Sequence, residues 1–398
     1  MNLTNGHLFW PTTTAPLTVP KIKPKAHYDV IIIGAGMSGA LCAYELTKQG
    51  YDVLSIDKRH IAEGSTSANT GLLQYSNDIM LVDLAEQIGE EDAVLFYRLC
   101  EQAMQDLTTL ATSLSRNTDY IERPSIYYAS TAEDVPRLQK NYTLLKKHGF
   151  EVAYLDRQAL ANEMPFEKEA ALKTYGDAEV NPVKFVQALF SDAKHDIVEE
   201  CEVTATYSEE TQVRVETSKG TFHAKHVIHT TGYETPVVGK RIGAAIHRSY
   251  VVVTEPINEQ LWQDEALIWE TAHPYLYIRT TVDNRLIIGG LDEDIAVPPT
   301  DKAIQQHAEK LLKEARELFP SYDLKAAYAY GATFGESYDN LPFIGEHPTK
   351  KRQYYLLGYG GNGTVYSMMG AKMITSFIKG KEPVGAHIVR LSRTNGVR

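Results

Sequence analysis

Cysteine is scarce in this chain of 398 residues. Cys42, Cys100 and Cys201 stand far apart, and no CxxC or Cys/His cluster occurs. Neither a disulfide framework nor a zinc site is expected, no metal is expected, and a reducing compartment, the cytoplasm, is the expected location. A basic stretch leading into an apolar run is missing near the N-terminus, so no secretory leader is expected. Long hydrophobic runs are missing as well. The most apolar stretch, 30–44, contains three glycines and a serine and is too short to span a bilayer. Basic charge is outweighed: 40 Lys and Arg face 51 Asp and Glu, a formal net charge of −11. That field repels phosphate, which argues against nucleic-acid or anionic-membrane partners. Internal repeats and low-complexity tracts are also lacking.

What is present is ordinary globular composition, with 43% hydrophobic and 23% charged residues, and enough chain for two or three domains. Residues 1–27 carry four prolines and read as an extended surface arm. Val30–Ile33 is a run of β-branched residues without alternation, which suits a strand buried on both faces of a parallel sheet. Ala40–Gln49 reads as a helix stopped by Gly50, and Val53–Ile56 as a second strand. Helical periodicity follows over 91–114, 134–148 and 183–194. Short alternating strands fill 203–231. From Tyr250 the pattern is antiparallel, with a hairpin of Tyr275–Thr281 and Arg285–Gly289 turning at Asp283-Asn284. Helices over 302–318 and 365–378 complete the chain. The expected fold is α/β: a Rossmann-like nucleotide domain built from discontinuous segments, plus an antiparallel β-sheet substrate domain with helices. The expected segments are 28–84, 171–245 and 329–398 for the first domain, and 85–170 and 246–328 for the second.

Gly34-Ala35-Gly36-Met37-Ser38-Gly39 follows a strand and opens a helix. The first glycine makes the tight turn, the second admits a pyrophosphate, and the third packs helix on strand. Free N–H groups at the helix start favour the phosphate charge. Asp57 closes the second strand, where an acid binds ribose hydroxyls; Lys58 follows it. This fingerprint alone does not separate FAD from NAD. Two further stretches favour a cofactor with a second, flavin end. One is the loop Glu63–Gly71, rich in small hydroxyl residues. The other is Gly358–Thr364, a glycine turn feeding a helix whose N-terminus suits negative charge on a reduced flavin.

Together the stretches YDVIIIGAGMSG, EGSTSANTG, TTGYE, YLYIRTTVDNRLIIGG, YGATFGESYDNLPFIG and GYGGNGT resemble the D-amino acid oxidase superfamily of FAD oxidoreductases. The branch of glycine oxidase, sarcosine oxidase and gamma-glutamylputrescine oxidase is the most similar. The resemblance covers nearly all of the chain after His27. It implies that Gly34, Gly36, Met37, Ser38 and Gly39 hold the FAD pyrophosphate and that Asp57 and Lys58 flank the adenosine. Ser65, Thr66, Ser67, Gly71 and Leu72 are implied at pyrophosphate and flavin, and Val203, Thr231 and Gly232 at adenine. Gly331, Gly360, Gly361, Asn362, Gly363 and Thr364 are implied against the flavin. No cysteine follows Cys201 and no histidine lies in 65–71, so the FAD is expected to be noncovalent. Ile287 stands where sarcosine oxidases place a lysine that assists O2, so the electron acceptor is left open between O2 and a carrier.

The implied chemistry is hydride transfer from a C–H next to nitrogen, with a small amine or amino acid as substrate. Oxidation of a 2-hydroxy acid or polyol with a non-oxygen acceptor is a second reading, and a flavin-binding subunit or redox sensor without turnover a third. Strand alternation puts Tyr275, Tyr277 and Arg279 on one face, with Tyr250 on a neighbouring strand. This is the expected substrate face, Arg279 taking a carboxylate in two parallel hydrogen bonds. An ion-paired arginine that only holds the sheet is the other reading of the same residue.

Overall fold

The computed structural model describes residues 2–20, 22–235, 244–295 and 297–393. Among these, the strands form an eight-stranded and a ten-stranded sheet. The eight-stranded sheet is built on the strand His27–Ile33. Its parallel neighbours are Val53–Ile56 on one side and Gly220–His229 on the other. Asp196–Val198 and Gln353–Leu357 extend it, also in parallel. The uninterrupted β-branched run is explained by burial on both faces. Val30 and Ile32 pack into the main core, and Ile31 and Ile33 into a separate cluster with Val213, Val215 and Phe222. The helices Met37–Lys48, Pro182–Ala193 and Gly363–Ile378 pack together over the first face.

The ten-stranded sheet is mostly antiparallel. Ala245–Thr254 lies between Ala326–Glu336 and Leu286–Glu293, and Leu276–Thr280 pairs with the latter as the expected hairpin. One junction is parallel, Leu267–Glu270 against Ile121–Tyr128. The helix Asp301–Leu318 covers its outer face and seals a second core with Tyr250, Ile278 and Ile288.

Three expectations need correction. The first stretch is a surface arm only in its later part, 13–20 and 22–26, which has neither helix nor strand: before it, Thr4–Gly6 pairs with Ala326–Glu336 as an edge strand, and Phe9 and Trp10 are buried at 3% and 2% exposure. Burial of those two rings holds down the residues ahead of Pro16, while Pro16, Pro20 and Pro24 lie in the extended, largely exposed part that follows. The strands Ala170–Glu179 and Ala326–Glu336 both belong to the ten-stranded sheet, so the expected boundaries at 171 and 329 cut through ladders. Leu72–Leu73 also joins that sheet, ahead of the expected boundary at 84.

Candidate functional site

A cavity of about 630 Å³ opens at the carboxyl ends of the parallel strands. This is where an open α/β sheet binds its ligand. The glycine turn forms one wall. Gly34 has φ +116°, and an added Cβ there would sit 2.6 Å from the Thr230 carbonyl oxygen. A Cβ on Gly39 would lie 1.9 Å from the Gly34 carbonyl oxygen, so the third glycine lets helix meet strand. The helix Met37–Lys48 starts at Gly36 with no side-chain cap of its own. Thr66 Oγ1, from the loop after the second strand, accepts the Met37 N–H at 3.1 Å. Ser38 and Ser367 share a hydroxyl contact of 2.7 Å, tying this helix to Gly363–Ile378.

At the far end Asp57 accepts the Ala35 N–H at 2.6 Å and the Arg59 N–H at 2.8 Å. Burial raises its carboxyl above the ordinary aspartate range, against the pull of these two N–H groups. The next wall is an ion-paired cluster: Glu234 meets Lys58 at 3.0 Å and Arg59 at 2.7 Å. Arg59 and Glu234 escaped the sequence reading because some 175 residues separate them in the chain. Leu3 also reaches this cavity, and Trp10 Nε1 donates to the Asn69 carbonyl at 2.6 Å. The N-terminal stretch therefore clasps the Glu63–Gly71 loop, part of which is a short helix, Ser65–Ala68.

Of the residues expected at the cofactor, Gly34, Gly36, Met37, Ser38, Asp57, Lys58, Ser65, Thr66, Val203, Thr231, Gly232, Gly360, Gly363 and Thr364 all line this cavity. Gly39 and Ser67 lie behind its wall. Gly331 is a correction. A Cβ on it would meet Pro299 Cγ at 2.5 Å, on the side of the sheet covered by the helix Asp301–Leu318. Strand alternation explains this, because the neighbours Ala332 and Phe334 face the site instead.

A second cavity of about 130 Å³ shares Ser65, Asn69, Tyr233 and Gly360 with the first and lies against the ten-stranded sheet. Leu72, Gly361 and Asn362 line it, as do Tyr275 and Tyr277. Tyr250 does not. It is 1% exposed, stacks on His307 at 3.7 Å and donates to Glu293 at 2.5 Å, on the outer face. Ser249 and Val251, on either side of it, line the cavity. Arg279 is a third correction, after Gly331 and Tyr250, and Gly71 goes with it. The guanidinium is 2% exposed and lines neither cavity. It donates to the carbonyls of Gly71 at 2.8 Å and Val180 at 2.9 Å, with Glu179 at 3.7 Å and the Trp10 ring at 5.2 Å. Although Arg279 shares its strand face with the two tyrosines, the Glu63–Gly71 loop and the N-terminal stretch cover that end of the face.

The sequence reading also missed Asp78. Its Oδ2 accepts the Gly361 N–H at 2.6 Å, at the mouth of the C-terminal glycine turn. Burial, with Glu336 and Asp292 adding like charge, pushes the Asp78 carboxyl up to about 6. An isolated acid after the glycine loop was the only signal in the sequence.

The glycine cradle, the helix start whose N-cap residue is a glycine and the acid at the strand end fit a dinucleotide, and the continuation past Gly360 fits one with a second ring system. A family model described as FAD dependent oxidoreductase, the DAO family, matches residues 29–377. The chain belongs to the DAO family of FAD-dependent oxidoreductases. Relatives of this DAO-family chain include glycine oxidase of Geobacillus kaustophilus, 27% identical, covering 89% of this chain and 94% of the relative. Gamma-glutamylputrescine oxidoreductase of Escherichia coli is 23% identical, covering 88% of this chain and 84% of the relative. The solved structure of the Geobacillus kaustophilus glycine oxidase superposes with a TM-score of 0.79 at 22% identity, covering 93% of this chain and 99% of that one. At that identity the likeness establishes the DAO-family fold. Among the described residues, no helix is long and apolar enough to cross a membrane.

In this DAO-family chain, Asp57→Ala is expected to lower FAD affinity about ten- to a hundredfold. That is the scale of losing a charged acceptor worth roughly 1.5–3 kcal/mol. Titration of the apoprotein measures it. Unchanged FAD binding would remove Asp57 from the cofactor's surroundings.

Proposed function

We propose that this enzyme oxidises the C–N bond of a small amine or amino acid. The observation that carries the reading is the small aromatic-lined cavity opening directly off the glycine-lined one at Gly360. FAD, when bound, supplies the hydride acceptor at N5 for a C–H next to nitrogen, leaving an imine that water hydrolyses. The chain's own residues bind, orient and exclude water. Gly34, Gly36 and the amides at the start of Met37–Lys48 would hold the pyrophosphate, and Asp57 the adenosine ribose. Val203, Thr231 and Gly232 would flank adenine. Ser65, Thr66 and the turn Gly360–Thr364 would hold the flavin end. Tyr275 and Tyr277 would form the substrate wall, each tyrosine kept protonated by burial, which raises its hydroxyl well above the ordinary range. The names of the relatives, glycine oxidase and gamma-glutamylputrescine oxidoreductase, support C–N rather than C–O oxidation. The cytoplasm is the proposed compartment, supported by three buried free thiols.

Anaerobic mixing of the holoenzyme with panels of amines, amino acids and 2-hydroxy acids tests this reading. Bleaching by a nitrogen compound is expected, and bleaching by hydroxy acids alone would overturn it. The same panel in air, with a peroxide assay, tells O2 from another acceptor. The FAD is expected to be released by acid precipitation. The nearest cysteine, Cys201, lines the cavity beside Asp57, to which it is hydrogen-bonded through the backbone, and not at the glycine turn. Yellow colour retained in the pellet would refute noncovalent binding.

A further inference from the structure

The second cavity has a charge pattern that a carboxylate clamp would not have. Among its described lining residues there is no lysine, arginine or histidine, and one carboxylate, Asp78. Asp78 Oδ2 is held by the Gly361 N–H, and Oδ1 has no hydrogen-bond partner among the described residues. No basic group offsets it; the charges that act on it are two more acids, Glu336 and Asp292. Asp292 Oδ1 is itself buried without a partner. The one arginine on this strand face, Arg279, is engaged by the Gly71 and Val180 carbonyls. Aromatic rings complete the space: Tyr233, Trp269, Tyr275, Tyr277 and Phe334. Trp269 is 8% exposed and its indole N–H has no partner among the described residues. That N–H is a donor, so the bound ammonium cannot meet it; water beside the ammonium, or a neutral oxygen elsewhere on the substrate, supplies the acceptor it needs.

A free carboxylate placed here would face like charge in a space of low dielectric. An ammonium group would meet a carboxylate oxygen with an open lone pair and the negative faces of several rings. We propose that this cavity selects amines that carry no carboxylate beside the reacting carbon, with Asp78 as the anchor for a substrate ammonium group and the aromatic rings as its cage. The inference rests on the reading of the site as a C–N oxidising centre and narrows its substrate class to cationic amines. Asp78 binds the cation in this account and takes no proton; where the anchored nitrogen is also the reacting one, it loses its proton to water before the hydride leaves the adjacent carbon.

The test uses holoenzyme and matched pairs: ornithine with putrescine, sarcosine with dimethylamine, glycine with methylamine. Two signals are read anaerobically, perturbation of the flavin spectrum on binding and bleaching on turnover. The decarboxylated member of at least one pair is expected to perturb the flavin at about tenfold lower concentration than its amino acid. Asp78→Asn keeps an oxygen for the Gly361 N–H and removes the charge. It is expected to weaken the amine about tenfold or more while FAD content stays the same, and Asp78→Glu to recover part of the loss. Amino acids binding as well as or better than their amines would overturn the inference, as would an Asp78→Asn enzyme with unchanged amine affinity. Amines that perturb the flavin without bleaching it would leave the cation site standing and remove the oxidation reading instead. Amines that do neither would overturn the inference.

Discussion

Replacing Gly39 with alanine is expected to leave the chain almost free of FAD. The added Cβ would lie 1.9 Å from the Gly34 carbonyl oxygen, and this is backbone, which has no rotamer to yield. Either the helix Met37–Lys48 moves away from the strand His27–Ile33, or the glycine turn deforms. Gly39 is fully enclosed by elements that cannot spread, since that helix also packs on Pro182–Ala193 and Gly363–Ile378. Overpacking of this kind costs about 1–3 kcal/mol, and more where backbone is the obstacle. Both escapes carry the helix N-terminal amides away from the phosphate position. Visible flavin absorbance per protein should fall close to zero even with FAD in the refolding buffer, and Gly39→Val should be worse. A Gly39→Ala protein that purifies yellow with normal FAD content would show that the turn is not the phosphate cradle.

The second large effect is on stability. Arg279→Met is expected to destabilise the protein by about 3–5 kcal/mol, the range for breaking a buried charged pair. Methionine fills much of the same volume but leaves the Gly71 and Val180 carbonyls without their donor. It also leaves Glu179, fully buried, leaning on Arg123 at 3.4 Å and on a hydroxyl. Because Gly71 ends the Glu63–Gly71 loop, the loop should loosen as well, and FAD release should quicken. The substrate-clamp reading of Arg279 forecasts a different result: a carboxylate substrate loses affinity selectively and melting is unchanged. Thermal unfolding of the holoenzyme together with KM for an amine and an amino acid decides between them. A selective loss at constant melting temperature would restore the clamp. A lowered melting temperature with equal kinetic effects is the expected outcome, and Arg279→Lys should show it in milder form, since lysine lacks the planar fork.

These two residues also mark how far local pattern carries. Strand, glycine turn and helix are encoded within 30–48, where a β-branched run meets GxGxxG, and Gly34, Gly36, Met37 and Ser38 from this stretch line the larger cavity. Period-two alternation put Tyr275, Tyr277 and Arg279 on one face, which is what the sheet has. Alternation says nothing about what covers each end of a face. The aromatic pair faces a cavity, while the Glu63–Gly71 loop and Trp10 roof over the arginine. The same limit applies to Gly331, implied by a family motif, and to Tyr250, read from a neighbouring strand: in both the side of the strand was not the expected one. Asp78 and the Arg59–Glu234 pair depend on segments far apart in the chain, so no local period announces them.

The residue order determined the α/β class, the βαβ unit, the dinucleotide cradle and the helix limits to within a few residues, because each rests on short-range sterics, hydrogen bonding and burial period. The tertiary structure decided the rest. Thr4–Gly6, ahead of the prolines, becomes an edge strand only because Ala326–Glu336 has an open edge and the core has room for Phe9 and Trp10. The charge of the smaller, aromatic-lined cavity became legible only there too. It depends on which ionisable side chains the fold brings to one space and which it neutralises elsewhere, and that sum is taken over contacts between distant segments.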